Sequence, residues 1–180
     1  MNRQKGFTLI EMLTAIGLAA LLLSMAVPAL NSFTSNSRQT GTVNDFISSM
    51  HVARSTAVTT NARVTICPSS GGNVCEAVGW NQGWIVFSDS NSNQTVDGSD
   101  AIVATGSGSN ELSIRSAEFG AVMTYRPNGR VVGASIDGNS GQFTVCDDRG
   151  DEHAKMLIID LSGRPRFSKY RADGTVPDCP

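Results

Sequence analysis

An apolar run of 24 residues, Phe7 to Leu30, follows a short hydrophilic leader at the start of the chain. As a helix this run would measure about 36 Å, enough to cross a hydrocarbon core about 30 Å thick. Its one charged residue, Glu11, costs roughly 2.5–3.5 kcal/mol at the centre of a membrane helix. A cost of that size suggests a charged partner, and a chain cut after Gly6 would supply one in its new α-amino group on Phe7.

The start of the chain resembles the class III signal of type IV prepilins and type II secretion pseudopilins. The residues that carry this resemblance are Lys5, Gly6, Phe7, Thr8, Leu9, Ile10, Glu11 and Leu13. It implies that a prepilin peptidase cuts between Gly6 and Phe7 and methylates the Phe7 amine, and that Glu11 pairs with the Phe7 amine of a neighbouring subunit in a filament. Two alternatives stay open: a secretory signal peptide cleaved within residues 26–29, and a plain membrane anchor in which Glu11 is incidental.

Charge around the apolar run predicts the orientation of the chain. Arg3 and Lys5 precede the run and no basic cluster follows it, so the leader is expected in the cytoplasm and the rest is expected to be exported. The formal charge of −2 becomes −4 when these two residues are removed with the leader. We expect a leader (1–6), a transmembrane and assembly helix (7–30) and a periplasmic globular domain (31–180). A single-pass inner-membrane protein of this kind would later enter an extracellular pilus.

The cysteine content favours two disulfide bonds. Cys67, Cys75, Cys146 and Cys179 are the four cysteines, and an even number in an exported chain is typical of disulfides. Pairing Cys67 with Cys75 would close a short loop, and pairing Cys146 with Cys179 would tie down the last segment. The other two connectivities stay open. A zinc site is the alternative, although the short CxxC spacings typical of such sites are absent.

The remaining pattern predicts an α+β fold of the pilin type. The helix is expected to continue to about Asn61, with an amphipathic second half over residues 31–61 and a kink or local unwinding at Pro28. Its apolar stripe consists of Val43, Phe46, Ile47, Met50, Ala53, Ala57 and Val58. Nine short antiparallel strands should follow, packed against the helix. They are Val64–Cys67, Ile85–Phe87, Ile102–Ala104, Leu112–Arg115, Val122–Tyr125, Gly129–Val132, Gln142–Cys146, Met156–Asp160 and Pro165–Ser168.

Turn and loop signals separate these strands. Pro127, Asn128 and Gly129 form a turn signal between two of them, and the Gly/Ser-rich residues 105–110 predict a flexible loop. Trp80 and Trp84 flank Gly83 and are expected to pack in the core.

The globular part resembles the FimT/FimU/GspH group of minor pilins and pseudopilins. Several segments carry this resemblance in a definite order: Cys67 to Cys75, Trp80, Gly83 to Phe87, Asp89 to Asn91, Tyr125, Pro127, Gly129-Arg130, Phe143 to Gly150, and Ser162 to Arg166. The group includes subunits that prime type IV pili, subunits of secretion pseudopili, and FimT proteins that bind DNA during natural transformation. The Gly-Arg-x-Arg pattern at Gly163 to Arg166 resembles the DNA-binding motif of those FimT proteins.

The C-terminal segment is the candidate DNA-binding site. Between Asp160 and Asp173 it contains four basic residues and no acidic one. Arginine suits phosphate oxygens, and Phe167 or Tyr170 could stack on a base. Two structural alternatives stay open: an edge strand that is solvated and protected by charge, and a surface that faces an acidic patch of the next subunit. The candidate residues are Gly163, Arg164, Pro165, Arg166, Lys169 and Arg171.

A second polar segment has the spacing of a calcium-binding loop. Its candidate ligands are Asp89, Asn91, Asn93, Asp97 and Asp100. The loop has Gln94 where the sharp turn favours glycine, and it ends in Asp100 where a longer glutamate is usual. A polar hairpin held by Asx turns is the favoured interpretation, so we expect no metal.

The resemblances together predict the function. We expect a non-enzymatic type IV pilus minor pilin that needs no cofactor, is processed by prepilin peptidase, and contacts other major and minor pilins through its N-terminal helix. Binding of double-stranded DNA through the basic segment is the further expectation. The alternatives are a GspH-like pseudopilin of a type II secretion system and a pilus-priming subunit that does not bind DNA. Motifs of hydrolases, metalloproteases and nucleotide-binding enzymes are absent from the sequence.

Overall fold

The computed structural model describes residues 6–133 and 140–179. A single long helix, α1, spans Leu9–Thr60, close to the predicted limits of about Phe7 and Asn61. The helix is continuous through Pro28, so the chain does not unwind there. A proline removes only one backbone donor, and the neighbouring residues keep the hydrogen bonds that hold the turn.

The chain divides into two compact units, one ending at Arg38 and the other beginning at Gln39. In the first unit α1 exposes large apolar side chains nearly all round, and among the described residues it is the one helix long and apolar enough to cross a membrane. These exposed side chains include Leu9, Ile10, Leu13, Ile16, Leu18, Leu21, Leu22, Leu23 and Leu30.

In the second unit α1 buries one stripe of side chains. The apolar members of this stripe are the predicted ones with two exceptions, since Ile47 is only half-buried against the core and Val58 is 50% exposed. Three polar side chains, Gln39, Thr42 and Ser49, are buried as well and were not predicted. Ser49 is tolerated there because its hydroxyl accepts a hydrogen bond from the indole nitrogen of Trp84, 2.8 Å away. The buried apolar residues are Val43, Phe46, Met50, Ala53 and Ala57.

Nine strands follow the helix in the described part of the chain, each at a predicted position. The strand that begins at Ile102 extends to Ser107, so half of the predicted loop 105–110 is strand. Gly106 explains this difference, because a Cβ atom there would lie 2.1 Å from the Trp84 ring and only glycine leaves room for the indole. The strands are β1 Val64–Pro68, β2 Gly83–Ser88, β3 Ile102–Ser107, β4 Ser113–Arg115, β5 Met123–Tyr125, β6 Val131–Val132, β7 Gly141–Cys146, β8 Lys155–Ile159 and β9 Pro165–Ser168.

The strands form two antiparallel sheets. Sheet 1 has the order β3-β2-β1-β5-β6, and sheet 2 has the order β4-β7-β8-β9. In sheet 1 Val64 faces both Ser88 of β2 and Tyr125 of β5. In sheet 2 Leu157 faces Phe143 of β7 and Phe167 of β9. The α+β prediction, a long N-terminal helix packed on antiparallel sheets, is confirmed.

One main core joins the second unit's part of α1 to both sheets. The Phe46 ring lies 4.7 Å from Trp84 of sheet 1 and 5.0 Å from Phe143 of sheet 2, between ring centroids. Trp80 is also buried and lies 5.4 Å from Phe46, so both tryptophans occupy the core as predicted. Aromatic pairs at these separations stabilise a core beyond the apolar area that they bury. The core therefore holds the two sheets in a set position around the helix.

Candidate nucleic-acid interface

Glu11 caps the start of α1 in the single chain. The backbone N–H of Thr8 donates to the Glu11 carboxylate at 2.8 Å, and the N–H of Glu11 donates back to the Thr8 hydroxyl at 3.4 Å. This reciprocal pair is a capping box, which satisfies two backbone donors that a helix start leaves free. The spacing Thr8-x-x-Glu11 is the sequence signature of a capping box. From the sequence, Glu11 was expected only to pair with a Phe7 amine during assembly.

The two disulfide bonds connect neighbouring cysteines in the order of the chain, one of the three possible pairings. Cys67 is bonded to Cys75 and Cys146 is bonded to Cys179, so none of the four cysteines has a thiolate left for zinc and that alternative is wrong. The second bond anchors the C-terminal segment to the end of β7. The same segment is held by the N–H of Ala172, which donates to the side chain of Gln142 at 3.0 Å.

The polar segment 89–100 satisfies its own carboxylates. Asp89 is buried and accepts from the Thr65 hydroxyl at 2.9 Å and from the Asn93 N–H at 3.0 Å. Asp97 accepts from the Asn93 amide at 3.1 Å, and the N–H of Asp97 donates to Asp100 at 3.2 Å. Within residues 6–133 and 140–179, no group of three or more His, Cys, Asp or Glu side chains is arranged to hold a metal ion. The geometry is that of a hairpin held by Asx-type hydrogen bonds.

The basic segment lies on an edge strand. Among the described strands β9 pairs only with β8, so it is an edge strand, a position that suits Pro165 because proline cannot donate a hydrogen bond to a further strand. Arg166 faces Ile158, whereas the neighbouring Phe167 faces Leu157 of the main core. Because facing residues of an antiparallel pair lie on the same side of a sheet, Arg166 lies on the side away from that core.

The six candidate DNA-binding residues differ in their accessibility. Arg164, Arg166 and Lys169 are exposed, and none of their side chains forms a hydrogen bond or ion pair within the described part of the chain. Gly163 is buried and Pro165 is half-buried, so these two shape the backbone and offer no charged group.

Arg171, the sixth candidate, is already engaged. It is half-buried and forms an ion pair with Asp178 of the C-terminal segment. That ion pair joins two positions within the C-terminal segment and provides Arg171 with a counter-charge. Three exposed basic side chains of the predicted set therefore remain for a phosphate backbone.

The turn that precedes β9 is held by Asp160. Its carboxylate accepts hydrogen bonds from the Ser162 hydroxyl at 2.6 Å and from the N–H groups of Ser162 and Arg164, at 2.9 and 3.1 Å. The Ser162 hydroxyl bond, followed by these backbone donors and the nearby Arg164 charge, lowers the pKa of Asp160 below its ordinary value. The turn thus places Arg164 beside Asp160, whose Oδ1 oxygen accepts all three of these hydrogen bonds.

This turn contacts a second arginine-bearing turn from sheet 1. Residues 126–130 form the predicted turn, in which the N–H of Gly129 donates to the Arg126 carbonyl at 2.8 Å. A Cβ atom on Gly163 would lie 2.1 Å from the carbonyl oxygen of Gly129, so the two glycine backbones are in direct contact. Both glycines have positive φ angles, +75° at Gly129 and +74° at Gly163, which side chains rarely adopt.

The helix also reaches this contact. The Nε–H of Arg54 on α1 donates to the Gly129 carbonyl at 3.1 Å. Arg130 directly follows Gly129 and is exposed, and Arg126 is half-buried with an Nε that meets no acceptor in the described residues. Gly129 and Arg130 carry part of the family resemblance, but the sequence pattern did not predict that Arg126 and Arg130 belong to the site. Only the distance between the turns could have revealed them.

The fold and the N-terminal segment define a class of protein. A long helix, apolar in its first part and packed on antiparallel sheets in its second, is the architecture of a pilin. Residues 42–163 match the family described as type II transport protein GspH, and residues 1–27 match the prokaryotic N-terminal methylation motif. The chain belongs to the GspH family. It is therefore a structural, non-enzymatic minor pilin or pseudopilin of a type IV pilus or a type II secretion system.

Solved structures agree with this fold. The chain is similar to the type IV minor pilin FimU of Pseudomonas aeruginosa (strain PAO1), with a TM-score of 0.57 and 17% identity over 76% of this chain and 92% of that chain. A second crystal form of FimU gives a TM-score of 0.55 and 16% identity over 72% of this chain and 91% of that chain. No curated protein matches the chain. The methylation motif implies processing by prepilin peptidase, and the hydrophobic helix is consistent with inner-membrane anchoring before assembly.

Proposed function

We propose that this chain is a minor pilin of a type IV pilus that binds double-stranded DNA through the edge of sheet 2. It spans the inner membrane once through residues 7–30, with its globular domain in the periplasm. Prepilin peptidase cuts it after Gly6 and methylates Phe7, and Glu11 then sets its register against neighbouring pilins. In the filament the basic edge captures extracellular DNA for natural transformation.

One observation carries the DNA-binding part of this proposal. Arg166 is exposed on the edge strand β9 and Arg164 is exposed in the turn just before it, and neither side chain has a hydrogen-bond or ion-pair partner among residues 6–133 and 140–179. The two residues are two positions apart in the chain, so their Cα atoms lie within about 7 Å of each other and both guanidinium groups can reach the same phosphate backbone. Because the whole chain has a net charge of −2, this patch attracts phosphates only locally. The affinity for DNA should therefore depend on a few arginine–phosphate contacts.

One exposed aromatic side chain follows the basic segment. Tyr170 is 53% exposed just after β9, whereas Phe167, which is 49% exposed, lies on the other side of sheet 2 from Arg166. An exposed aromatic ring provides a stacking surface for unpaired bases, whereas arginines contact phosphates of either single or double strands. A comparison of single-stranded and double-stranded probes therefore separates the two contributions.

The test is a salt-dependent DNA titration of the full-length protein in an uncharged detergent. Fluorescence anisotropy of a labelled 20-base-pair duplex would compare the wild type with Arg164→Ala/Arg166→Ala. We expect binding that weakens steeply from 50 to 200 mM salt, and its loss in the double variant. Arg115→Ala provides the control, because Arg115 is exposed on β4 at the opposite edge of sheet 2. Equal binding by wild type and double variant would exclude this edge as the DNA site.

A GspH-like pseudopilin of a type II secretion system is the second candidate, favoured by the description of the matching family. Both candidates share processing, anchoring and helix-driven assembly, so the fold does not separate them. Deletion of the chromosomal gene distinguishes the two candidates. Loss of piliation or of transformation supports the pilus, whereas loss of an exported enzyme activity supports the secretion system.

A further inference from the structure

The contact between Gly129 and Gly163 brings two sets of arginines together from different sheets. Arg130 directly follows Gly129, and Arg164 directly follows Gly163. Each arginine is therefore only one Cα step, about 3.8 Å, from a backbone contact between the two turns. Both side chains are exposed, and both are long enough to meet the same stretch of a ligand.

Sheet register adds a further arginine to the first of these turns. The N–H of Arg126 donates to the carbonyl of Arg130 at 2.9 Å, which continues the pairing of Tyr125 with Val131 by one residue. Residues that face each other in this way project to the same side of a sheet. Arg126 and Arg130 are thus two like charges held side by side, an arrangement that costs stability unless an anion compensates it.

The arginines of this cluster outnumber the acid beside them. Asp160 interacts with Arg164; its Oδ1 oxygen accepts from backbone and hydroxyl donors of its own turn, and the carboxylate keeps its negative charge. Arg126 and Arg130 make no ion pair within the described ranges, and the Nε of Arg126 has no acceptor there. Arg126, Arg130 and Arg164 therefore keep an excess of positive charge beside Asp160, on an acidic chain.

We propose that the turn 126–130 and the segment 163–166 form one continuous phosphate-binding surface, on which Arg126 and Arg130 contact duplex DNA together with Arg164 and Arg166. This proposal rests on the proposed function and extends its site from one edge strand of sheet 2 to a turn of sheet 1. Glycine at 163 sets the spacing, because a Cβ atom there would lie 2.1 Å from the Gly129 carbonyl oxygen and would push the two turns apart. A surface of four arginines contacts more phosphates than the edge strand alone, so its binding should depend more steeply on salt.

The experiment is the same titration with the full-length protein and a 20-base-pair duplex, applied to Arg130→Ala. We expect weaker binding and a salt slope that is smaller by about 0.9, as expected when the protein neutralises one phosphate fewer. Between 50 and 200 mM salt, the affinity of this variant should then fall about 3.5-fold less than that of the wild type. Arg130→Lys keeps the charge and should restore the wild-type slope, while Arg115→Ala should leave both affinity and slope unchanged.

The outcomes separate this inference from the proposed function. If Arg130→Ala behaves like Arg115→Ala while Arg164→Ala weakens binding, the two-turn surface is overturned and the edge-strand site stands. If the wild type does not bind the duplex at 50 mM salt, both proposals fall, which leaves a charge-protected edge strand or a surface that faces another subunit. Thermal unfolding of each variant establishes that Arg130→Ala leaves the fold intact.

Discussion

The hydroxyl of Tyr125 donates a hydrogen bond to the carbonyl oxygen of Gly163, 3.1 Å away. Tyr125 lies on β5 of sheet 1, whereas Gly163 lies in the turn before β9 of sheet 2, so this bond ties the two sheets at the proposed DNA-binding surface. Burial raises the pKa of Tyr125 well above its usual range, so the hydroxyl stays protonated and remains a donor at any physiological pH. The position of the basic edge therefore depends on a contact between residues 38 positions apart.

Removing the Tyr125 hydroxyl tests how much this hydrogen bond contributes to the stability of the fold. Tyr125→Phe leaves the buried carbonyl of Gly163 without its donor, and we expect the free energy of unfolding to fall by about 1–2 kcal/mol. Urea denaturation of oxidised protein followed by tryptophan fluorescence measures the change. Tyr170→Phe is the matched control, because Tyr170 is 53% exposed and should tolerate the same change. An unchanged unfolding midpoint in Tyr125→Phe would mean that the bond contributes nothing net.

Gly163→Ala should lower the stability of the fold by more than the strain at its positive φ angle explains. The new Cβ would lie 2.1 Å from the Gly129 carbonyl oxygen, so the turns must separate, in addition to a strain of about 1–2 kcal/mol at a positive φ. Gly174→Ala isolates the strain, since Gly174 has a φ of +86°, its N–H donates to the carbonyl three residues earlier as that of Gly163 does, and a Cβ added there would meet no atom within 4 Å. We expect thermal unfolding to show a clearly larger loss for Gly163→Ala. Equal losses of stability would show that the two turns accommodate the added methyl group without separating.

Acid should loosen the turn that carries Arg164. The pKa of Asp160 is lowered by the Ser162 hydroxyl and by neighbouring backbone donors, so its contribution to stability is present above its unfolded value of about 3.9. That contribution is lost as the pH falls through the lower, folded pKa. Asp160→Asn should therefore be less stable than wild type at pH 7, and the difference should shrink below about pH 4. Thermal midpoints from about pH 2 to 7 measure it, with exposed Asp148→Asn as the charge-matched control. A difference that is constant across this range would contradict the assignment.

Glu11 has two roles that substitution can separate. In the single chain its carboxylate closes a capping box with Thr8, whereas in the proposed filament its charge pairs with a neighbouring Phe7 amine. Glu11→Gln keeps a side chain that can cap the helix but removes the charge, and Glu11→Ala removes both. We expect both variants to insert into the membrane and to be missing from sheared filaments, as measured by immunoblotting. Normal incorporation of Glu11→Gln would assign the residue to capping and reject the charge pair.

Much of the architecture is encoded locally. The apolar run, the stripe from Val43 to Ala57 and the branched residues of the strands each express a periodicity that a short window contains, so helix and strand positions could be predicted. The prediction failed where a neighbour distant in sequence decided the outcome. Gly106 belongs to a strand because the Trp84 ring covers it, and Arg171 is engaged because the C-terminal segment places Asp178 beside it.

Local sequence was enough to establish the long helix, the strand positions, the leader motif and the presence of an exposed basic segment. The folded chain decided how those strands divide into two sheets, which cysteines pair, and that the turns at Gly129 and Gly163 touch. The difference comes from the range of the interactions. Hydrophobic periodicity and turn chemistry act over a few residues, whereas the contact that gathers Arg130 and Arg164 exists only after a common core has brought distant segments together.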